Sequence, residues 1–325
     1  MRILVAVFTA LLLVSTLHSG LASAAKCRAL ALEGGGSRGA YYCGVLRGLV
    51  EQTGSANAAD LAWDVVTGIS AGAIVGFGVA LFPVGSEDAM SFFLSQTALN
   101  VNQTDVYSIW PPGGIPGLLE GATLRSGLFD TKPLRETIQK LSDLKGGLKN
   151  RKLVVGASSL TDGHFHTWNE TVGTAKMIDA VMASSAIPGL FPAQHVDGEV
   201  FSDGGVIENL NVDSAVLRCR DMGFAMSDII VDIILSSGRE IEPVDASKFT
   251  TIKVMERNWA ISRYDSSMRL VNNARQAYPN VTFRYVVYPS QSMPGAFNFS
   301  TAAMTEFVQV GLVDGKNAVL NAQKN

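Results

Sequence analysis

Two glycine-rich turns constrain the fold of this chain more than any other feature of its sequence. The first covers residues 33–39 (EGGGSRG) and the second covers residues 67–72 (TGISAG). Each turn follows a short apolar run and precedes a run of small and apolar residues that predicts a helix. Strands that lead through tight turns into helices are typical of α/β sheets. We therefore expect both turns to lie at the same edge of one sheet and to meet in space.

The second turn places a serine between two glycines. Gly68, Ser70 and Gly72 have the G-x-S-x-G spacing. In this spacing a tight strand-to-helix turn lifts the serine hydroxyl clear of the sheet, and only glycine tolerates the crowding beside it. Ser70 is therefore the predicted nucleophile.

The triple-glycine turn is the predicted oxyanion hole. Gly34, Gly35 and Gly36 can direct successive amides inward because glycine accepts positive φ, and preorganised N–H donors stabilise the charge that acyl transfer builds. Arg38 lies at the start of the expected helix. Two roles stay open for it: contact with an acidic phosphate head group, or an internal salt bridge that braces the loop.

A serine hydroxyl needs a base before it can attack a carbonyl. Beyond residue 24 the histidines are His164, His166 and His195, and none follows Asp203. Each of the three is predicted to be structural, so a histidine base is the minor alternative. Asp203 is the candidate base because it ends a short predicted strand and precedes two glycines. The competing interpretation of that motif is an ordinary Asp-Gly hairpin turn.

Residues 34–39 also satisfy the G-x-G-x-x-G pattern of dinucleotide-binding folds. That pattern further requires an acid at the carboxyl end of the second strand, where it binds the ribose. Asp60 and Asp64 stand before or at the start of the predicted strand, and Ser70 follows its end. A dinucleotide site is therefore disfavoured.

The rest of the chain alternates between strand and helix patterns. Strands are predicted at 28–33, 63–67, 153–158, 164–168, 199–202, 229–236 and 281–288. Helices are predicted at 40–52, 71–82, 87–97, 132–144, 174–185, 253–277 and 301–321. Residues 110–119 are predicted to form a rigid apolar loop, either a lip that touches lipid or ordinary surface cover. The alternation predicts a single α/β domain whose central, mostly parallel sheet is covered by helices on both faces.

Residues 1–24 predict a secretory signal peptide. A positive start at Arg2 precedes an apolar run over 3–17 and a small-x-small cleavage site at 22–24. The alternative is an uncleaved anchor, but roughly 15 apolar residues are short for a span of about 20. We therefore expect one domain over 25–325, either secreted or in a lysosome- or vacuole-like lumen.

Two further residue patterns bear on that compartment. Four N-x-S/T sequons fit a glycosylated luminal protein, and they begin at Asn102, Asn169, Asn280 and Asn298. The cysteines are Cys27, Cys43 and Cys219. An odd count allows one disulfide with a free thiol, or no pairing at all.

Charge and cysteine spacing exclude other classes of function. The formal net charge is −3, so the chain lacks the basic footprint of a nucleic-acid-binding protein. No two cysteines have metal-ligand spacing. Neither a cofactor nor a metal is expected.

Four sequence blocks together are similar to the patatin-like phospholipase family. They are GGGSRG at 34–39, GISAG at 68–72, ASSAIPGLFP at 183–192 and DGG at 203–205. The blocks follow the order found in that family and lie within residues 28–215. Beyond about residue 215 nothing in the sequence carries the resemblance.

The resemblance implies a specific site and activity. It implies a Ser70–Asp203 dyad, an oxyanion hole in the triple-glycine turn, and hydrolysis of acyl esters in phospholipids and related lipids without a metal. A hydrolase of this kind is expected to bind a membrane or lipid-aggregate surface transiently. The rival hypothesis is a secreted storage or lipid-binding protein on the same scaffold with little or no turnover.

Overall fold

The structure, a computed structural model, describes residues 25–54, 59–293 and 295–323. The predicted signal peptide at 1–24 lies outside these residues. Within them the strands are β1 (Cys27–Leu32), β2 (Val65–Gly68), β3 (Ser108–Ile109), β4 (Phe129–Asp130), β5 (Lys152–Ser159), β6 (Phe165–Asn169), β7 (Gln194–Val196), β8 (Glu199–Asp203), β9 (Ile229–Ile234) and β10 (Thr282–Val287). The helices are α1 (Gly39–Thr53), α2 (Ala71–Ala80), α3 (Glu87–Asn100), α4 (Gly114–Thr123), α5 (Lys132–Lys145), α6 (Thr174–Ser184), α7 (Val212–Asp221), α8 (Thr251–Ala277) and α9 (Thr301–Ala322).

The main sheet has eight strands in the order β10-β9-β1-β2-β5-β8-β7, with β6 paired to β5. The pairings from β10 to β5 are all parallel. Those that β5 makes with β6 and β8, and β8 with β7, are antiparallel. The prediction of a mostly parallel central sheet is confirmed.

Helices cover both faces of this sheet. Leu30 and Leu32 of β1 join one apolar core, to which α1, α2, α6 and α9 contribute. Ala29 and Ala31 point to the opposite face, where α7 and α8 form a second core. Because successive strand residues face opposite sides, the continuously apolar β1 fits a strand that is buried on both faces.

The last helix packs directly on the first. At Gly311 of α9, an added Cβ would lie 2.2 Å from the carbonyl oxygen of Tyr41 in α1. At Gly44 of α1, an added Cβ would lie 2.2 Å from the carbonyl oxygen of Val308 in α9. The two backbones are therefore in contact, which places the C-terminal helix in the same domain as the glycine turns.

The register of β5 explains why two distant segments converge. Gly68, the last residue of β2, lies opposite Val155 of β5, and Asp203, the last residue of β8, lies opposite Ala157. β6 occupies the other edge of β5, so β2 and β8 share one edge and run toward each other. Their carboxyl ends meet about two residues apart, or roughly 7 Å along the strand.

The structure corrects one predicted element and adds four others. The prediction of a loop over 110–119 is wrong for its second half, because α4 begins at Gly114. Pro116 lies in the first turn of that helix, where a missing N–H costs no hydrogen bond. The helix α7 and the short strands β3, β4 and β7 were not predicted from the sequence.

A disulfide joins Cys27 of β1 to Cys219 of α7, and Cys43 is a buried free thiol. The sequence alone had left this pairing open. Among the described helices, none is both long enough and apolar enough to cross a lipid bilayer.

Candidate active site

Ser70 occupies the sharp turn between β2 and α2. Its backbone has φ 52° and ψ −121°, a strained conformation for a residue with a side chain. An added Cβ on Gly72 would lie 2.4 Å from the carbonyl oxygen of Leu32, so the turn has no room for a larger residue there. The Ser70 amide donates a hydrogen bond of 2.9 Å to the hydroxyl of Ser184. Ser70 is buried in this position and lines two cavities.

Asp203 lies beside that hydroxyl. Its carboxylate is in hydrogen-bonding contact with the Ser70 side chain and also accepts the amide of Gly205 at 2.8 Å. Burial raises the pKa of Asp203 to about 6, and these two hydrogen bonds together with the charge of Arg263 limit the rise. A carboxylate with a pKa near the working pH is a better base than an ordinary aspartate. The structure therefore brings the predicted nucleophile and the predicted base together.

The three histidines lie elsewhere. His166 on β6 contacts Asp162 at 2.8 Å, while His164 and His195 are exposed. Among the described residues, no histidine lines either cavity that Ser70 borders.

The triple-glycine turn meets the serine turn, as the sequence predicts. An added Cβ on Gly34 would lie 3.2 Å from the Cβ of Ser70. The Gly34 amide donates to the Asn209 carbonyl at 2.9 Å and is therefore occupied. Gly36 has φ 60°, and neither its amide nor that of Gly35 donates a hydrogen bond to another described residue. Gly35 and Gly36 are thus the donors that this turn offers to an oxyanion.

A further candidate donor is the amide of Ala71. Ala71 is the first residue of α2, and its amide makes no hydrogen bond within the described part of the chain. Helix N-termini carry partial positive charge, which favours an anion at this point. This donor was not predicted from the sequence, although the residue after the serine is a usual donor in a nucleophile elbow.

Glu33 is fully buried just before the glycine turn, and its role was not predicted from the sequence. Its carboxylate accepts the amides and hydroxyls of Ser236 and Ser237, the Ser267 hydroxyl, and the Asn209 side-chain amide. Six donors compensate the cost of burying this charge and fix the strand end that carries the turn. The only sequence signal was an acidic residue at the end of an apolar strand.

Two cavities meet at Ser70. One, of about 140 Å³, runs away from the hydroxyl between α2, α3 and α5 and has mostly apolar walls, including Ile74, Leu94, Ile138, Phe191 and Met304. The other, of about 270 Å³, is the polar mouth cavity, which Asp203, Asn209, Arg263 and Phe297 help to line. An ester bound at Ser70 can therefore place an apolar chain in one cavity and a polar group in the other.

Arg38 lies behind the glycine turn, outside both cavities that Ser70 borders. Its guanidinium donates to the carbonyl oxygen of Ser236 at 3.3 Å. Burial, and after it the nearby charge of Arg263, lowers the pKa of Arg38. This position is compatible with bracing the loop, and Arg38 also borders a separate basic cavity.

The acids of the dinucleotide hypothesis lie at the wrong end of β2. The Asp64 carboxylate accepts the Arg28 amide at 3.0 Å, and Asp60 forms an ion pair with Arg28. Both precede β2, whereas its carboxyl end leads to Ser70. The ribose-binding acid of a dinucleotide site is therefore missing from the described end of this strand.

One group among the described residues has the composition of a metal site. The ligand atoms of Asp162, His166 and Glu199 all lie within 4.8 Å of one another at the protein surface. None of the three lines the cavities at Ser70.

Comparison with known proteins agrees with this architecture. A family model for patatin-like phospholipases matches residues 30–216, more than half of the chain. The protein belongs to the patatin-like phospholipase family. The match covers the strands and turns that carry Ser70 and Asp203.

Two curated relatives are also phospholipases. A cGAMP-activated phospholipase of Pseudomonas aeruginosa is 30% identical over 188 residues, which are 55% of this chain and 53% of the relative. The human calcium-independent phospholipase A2-gamma is 24% identical over 283 residues, 82% of this chain and 35% of the relative. The chain thus spans about half or less of the length of these relatives.

The solved structures that this chain matches include VipD from Legionella pneumophila. It has a TM-score of 0.43 and 13% identity, with 91% of this chain and 67% of VipD covered. The ExoU–SpcU complex from the type III secretion system of Pseudomonas aeruginosa has a TM-score of 0.38 and 15% identity, with 93% and 52% covered.

Proposed function

We propose that this protein is a phospholipase A or lipid acyl hydrolase that cleaves acyl esters of phospholipids and related lipids through an acyl-enzyme on Ser70. The observation that carries the proposal is the contact between the Ser70 hydroxyl and the buried Asp203 carboxylate, at the point where an apolar cavity meets a polar one. Family membership and the phospholipase relatives support the same chemistry.

In the proposed first step, Asp203 accepts the Ser70 proton while the serine oxygen attacks the ester carbonyl. The raised pKa of Asp203 brings its basicity closer to that of a working general base at neutral pH. The carbonyl oxygen becomes an oxyanion that the amides of Gly35, Gly36 and Ala71 stabilise. Preorganised donors of this kind lower the barrier by about 3 kcal/mol each.

The tetrahedral intermediate then collapses. The C–O bond to the lipid alcohol breaks, Asp203 returns its proton to that alcohol, and the acyl group stays on Ser70. A water molecule attacks the acyl-enzyme with Asp203 again as base, which releases the fatty acid and restores the serine. Asp203 accepts and donates every proton transferred in this scheme, so the scheme requires no metal. We therefore expect a chelator such as EDTA to leave the rate of ester hydrolysis unchanged.

We further propose that the region around α4 contacts the membrane transiently. Ile109, Ile115, Leu119 and Leu124 are exposed large hydrophobic residues on this segment. The chain that follows α4 pairs with residues near the mouth cavity, since the Leu128 amide donates to the Gly189 carbonyl. Apolar groups exposed beside a lipid site favour insertion at a bilayer surface.

For the compartment, we propose the secretory pathway, with the protein secreted or in a lysosome- or vacuole-like lumen. The Cys27–Cys219 disulfide supports an oxidising environment. Three of the sequon asparagines, Asn102, Asn280 and Asn298, are exposed and so accessible to glycosylation.

The direct test is release of fatty acid from phospholipid vesicles by the parent protein and by Ser70→Ala. We expect the variant to lose activity by at least about 1,000-fold, since its nucleophile is removed, while its circular dichroism spectrum stays unchanged. A folded Ser70→Ala protein that releases fatty acid at the parent rate excludes Ser70 as the nucleophile. A parent protein that releases none contradicts the proposed activity itself.

A further inference from the structure

A third cavity beside the active site carries a concentration of positive charge. This basic cavity, of about 680 Å³, has Arg38, Lys253, Arg257 and Arg263 in its walls. No acidic residue is among the described residues that line it. It shares Arg263 and Phe297 with the mouth cavity that holds Ser70 and Asp203.

The acidic groups that act on these cations lie outside the basic cavity: Glu33 acts on Arg38, and Arg263 acts on Asp203. Within the described part of the chain, neither the Arg263 guanidinium nor the Lys253 ammonium forms a hydrogen bond or an ion pair with a protein group. Arg257 donates to the backbone carbonyl of Glu242 at 2.7 Å, which is a neutral acceptor. An adjoining polar cavity adds Arg239, Glu240 and Glu242, so acidic side chains lie nearby but outside the basic cavity. Four cations in one wall, with no acid among its described lining residues, favour the binding of an anion.

The position of the basic cavity beside the active site indicates which anion it binds. Arg263 borders both cavities and is close enough to Asp203 to lower the pKa of its carboxyl. A group bound in the basic cavity is therefore adjacent to an ester bound at Ser70. In a phospholipid, the phosphate and head group lie on that side of the ester, and arginine recognises phosphate through paired N–H donors.

The charge of the cavity also distinguishes between head groups. A choline head group adds a quaternary ammonium to its phosphate, and four cations would repel it. Phe249 and Phe297 also line the cavity, and aromatic faces attract quaternary ammonium ions. Two partly buried rings do not offset four nearby positive charges. A head group without a cation, such as glycerol, leaves the negative charge of the phosphate uncompensated and therefore fits this wall.

We propose that the basic cavity binds the phosphate and head group of the lipid substrate, and that it makes anionic phospholipids the preferred substrate class over zwitterionic ones. This inference rests on the proposed hydrolase function and adds its substrate class. Residues of α8, outside the matched family region, would then set head-group specificity.

The first test compares phosphatidylglycerol and phosphatidylcholine with identical acyl chains in neutral detergent micelles. We expect the parent protein to favour phosphatidylglycerol in kcat/KM by about tenfold or more, since each charge-assisted contact contributes on this scale. The double variant Lys253→Gln/Arg257→Gln should bring that ratio close to one. The matched control is Lys140→Gln/Arg220→Gln, which removes two exposed charges outside the cavity and should keep the parent ratio. Equal rates in the parent, or an unchanged ratio in the cavity variant, overturn the proposal.

A second test measures binding without turnover. Ser70→Ala protein is titrated with dihexanoyl phosphatidylglycerol, dihexanoyl phosphatidylcholine and inorganic phosphate by calorimetry. We expect phosphatidylglycerol to bind most tightly and to lose this advantage when Lys253→Gln/Arg257→Gln is added. If inorganic phosphate binds as tightly as the lipid, the cavity is a site for a free anion and the lipid assignment is wrong. If the lipid preference holds while the parent hydrolyses neither lipid, the proposed hydrolysis fails and the binding inference stands.

Discussion

The two parts of this chain contribute differently to the candidate active site. Residues 27–216 supply the groups that would react with substrate, namely the serine turn, the glycine turn and Asp203 at the end of β8. Residues 217–323 supply none of these groups but surround them. From this part, Ser236, Ser237 and Ser267 donate to Glu33. The comparison shows that the reactive groups are encoded in short local motifs, whereas their support comes from distant segments.

The contact between the two parts extends beyond Glu33. The Ala296 carbonyl accepts the Ser37 amide at 2.8 Å, directly behind the glycine turn. Arg263 adds a positive charge near Asp203, and α9 packs backbone to backbone on α1. Perturbing each of these contacts tests how far the first part depends on the second.

The largest effect on activity is expected when the hydrogen bonds that Glu33 accepts from the second part of the chain are disrupted. Glu33→Gln keeps the shape of the side chain but directs an NH2 group toward hydroxyl and amide donors. Leaving buried donors unsatisfied costs about 1–3 kcal/mol each. We therefore expect kcat/KM for p-nitrophenyl butyrate to fall by about 100-fold and the free energy of unfolding to drop by about 3 kcal/mol. Enzyme assays and urea denaturation measure the two quantities.

Glu51→Gln is the matched control for that variant. Glu51 forms surface ion pairs with Arg47 and Lys316, and such pairs contribute little to stability. This variant should keep the parent activity and unfold within about 0.5 kcal/mol of the parent. If Glu33→Gln behaves like Glu51→Gln, the glycine turn does not depend on its contacts with the second part.

A smaller effect on kcat/KM is expected from a change in pH, which titrates the proposed base Asp203. Because the pKa of Asp203 is about 6, kcat/KM for the soluble ester should fall about tenfold per pH unit below that value and level off above it. Arg263 lowers this pKa, so Arg263→Gln should move the profile to higher pH. A profile that stays flat down to pH 5, or that does not move in the variant, contradicts the assignment.

The raised pKa of Asp203 also predicts how this residue affects the stability of the folded protein. Its pKa lies near 3.8 when exposed and near 6 in the folded protein, so the folded state binds more protons between these values. The contribution of Asp203 to the free energy of unfolding is therefore complete below about pH 3.8 and is lost as pH rises through about 6. Asp203→Asn should remove this part of the pH dependence, as denaturation at several pH values would show.

The smallest effect on catalysis is expected from a change at the contact between α9 and α1. Gly311→Ala places a Cβ against the Tyr41 carbonyl and should force α9 away from α1. We expect the free energy of unfolding to fall by about 2 kcal/mol, with kcat for the soluble ester unchanged. Asn317→Ala, at an exposed position on the same helix, should be neutral or slightly stabilising. A loss of kcat in Gly311→Ala would mean that α9 also positions the site.

The same division separates what the sequence predicts from what it does not. The turns around Ser70 and Gly36 are predictable because glycine spacing reports local backbone geometry, and the family motifs cover that part of the chain. Glu33 acquires its role through partners 176 to 234 positions away, and Arg263 through Asp203, 60 positions away. No local sequence pattern predicts such contacts. α4 was missed because Pro116 interrupts the helical pattern while being harmless in a first turn.

The central claim is that Asp203 activates Ser70 directly, and covalent labelling tests it. A fluorophosphonate probe is added to the parent protein and to Asp203→Asn, and peptide mass spectrometry locates the adduct and follows its rate. The account predicts a single adduct on Ser70 in the parent protein and labelling slower by at least about 100-fold in the variant, the usual contribution of a general base. An adduct on another residue, or equal labelling rates in the two proteins, would contradict it.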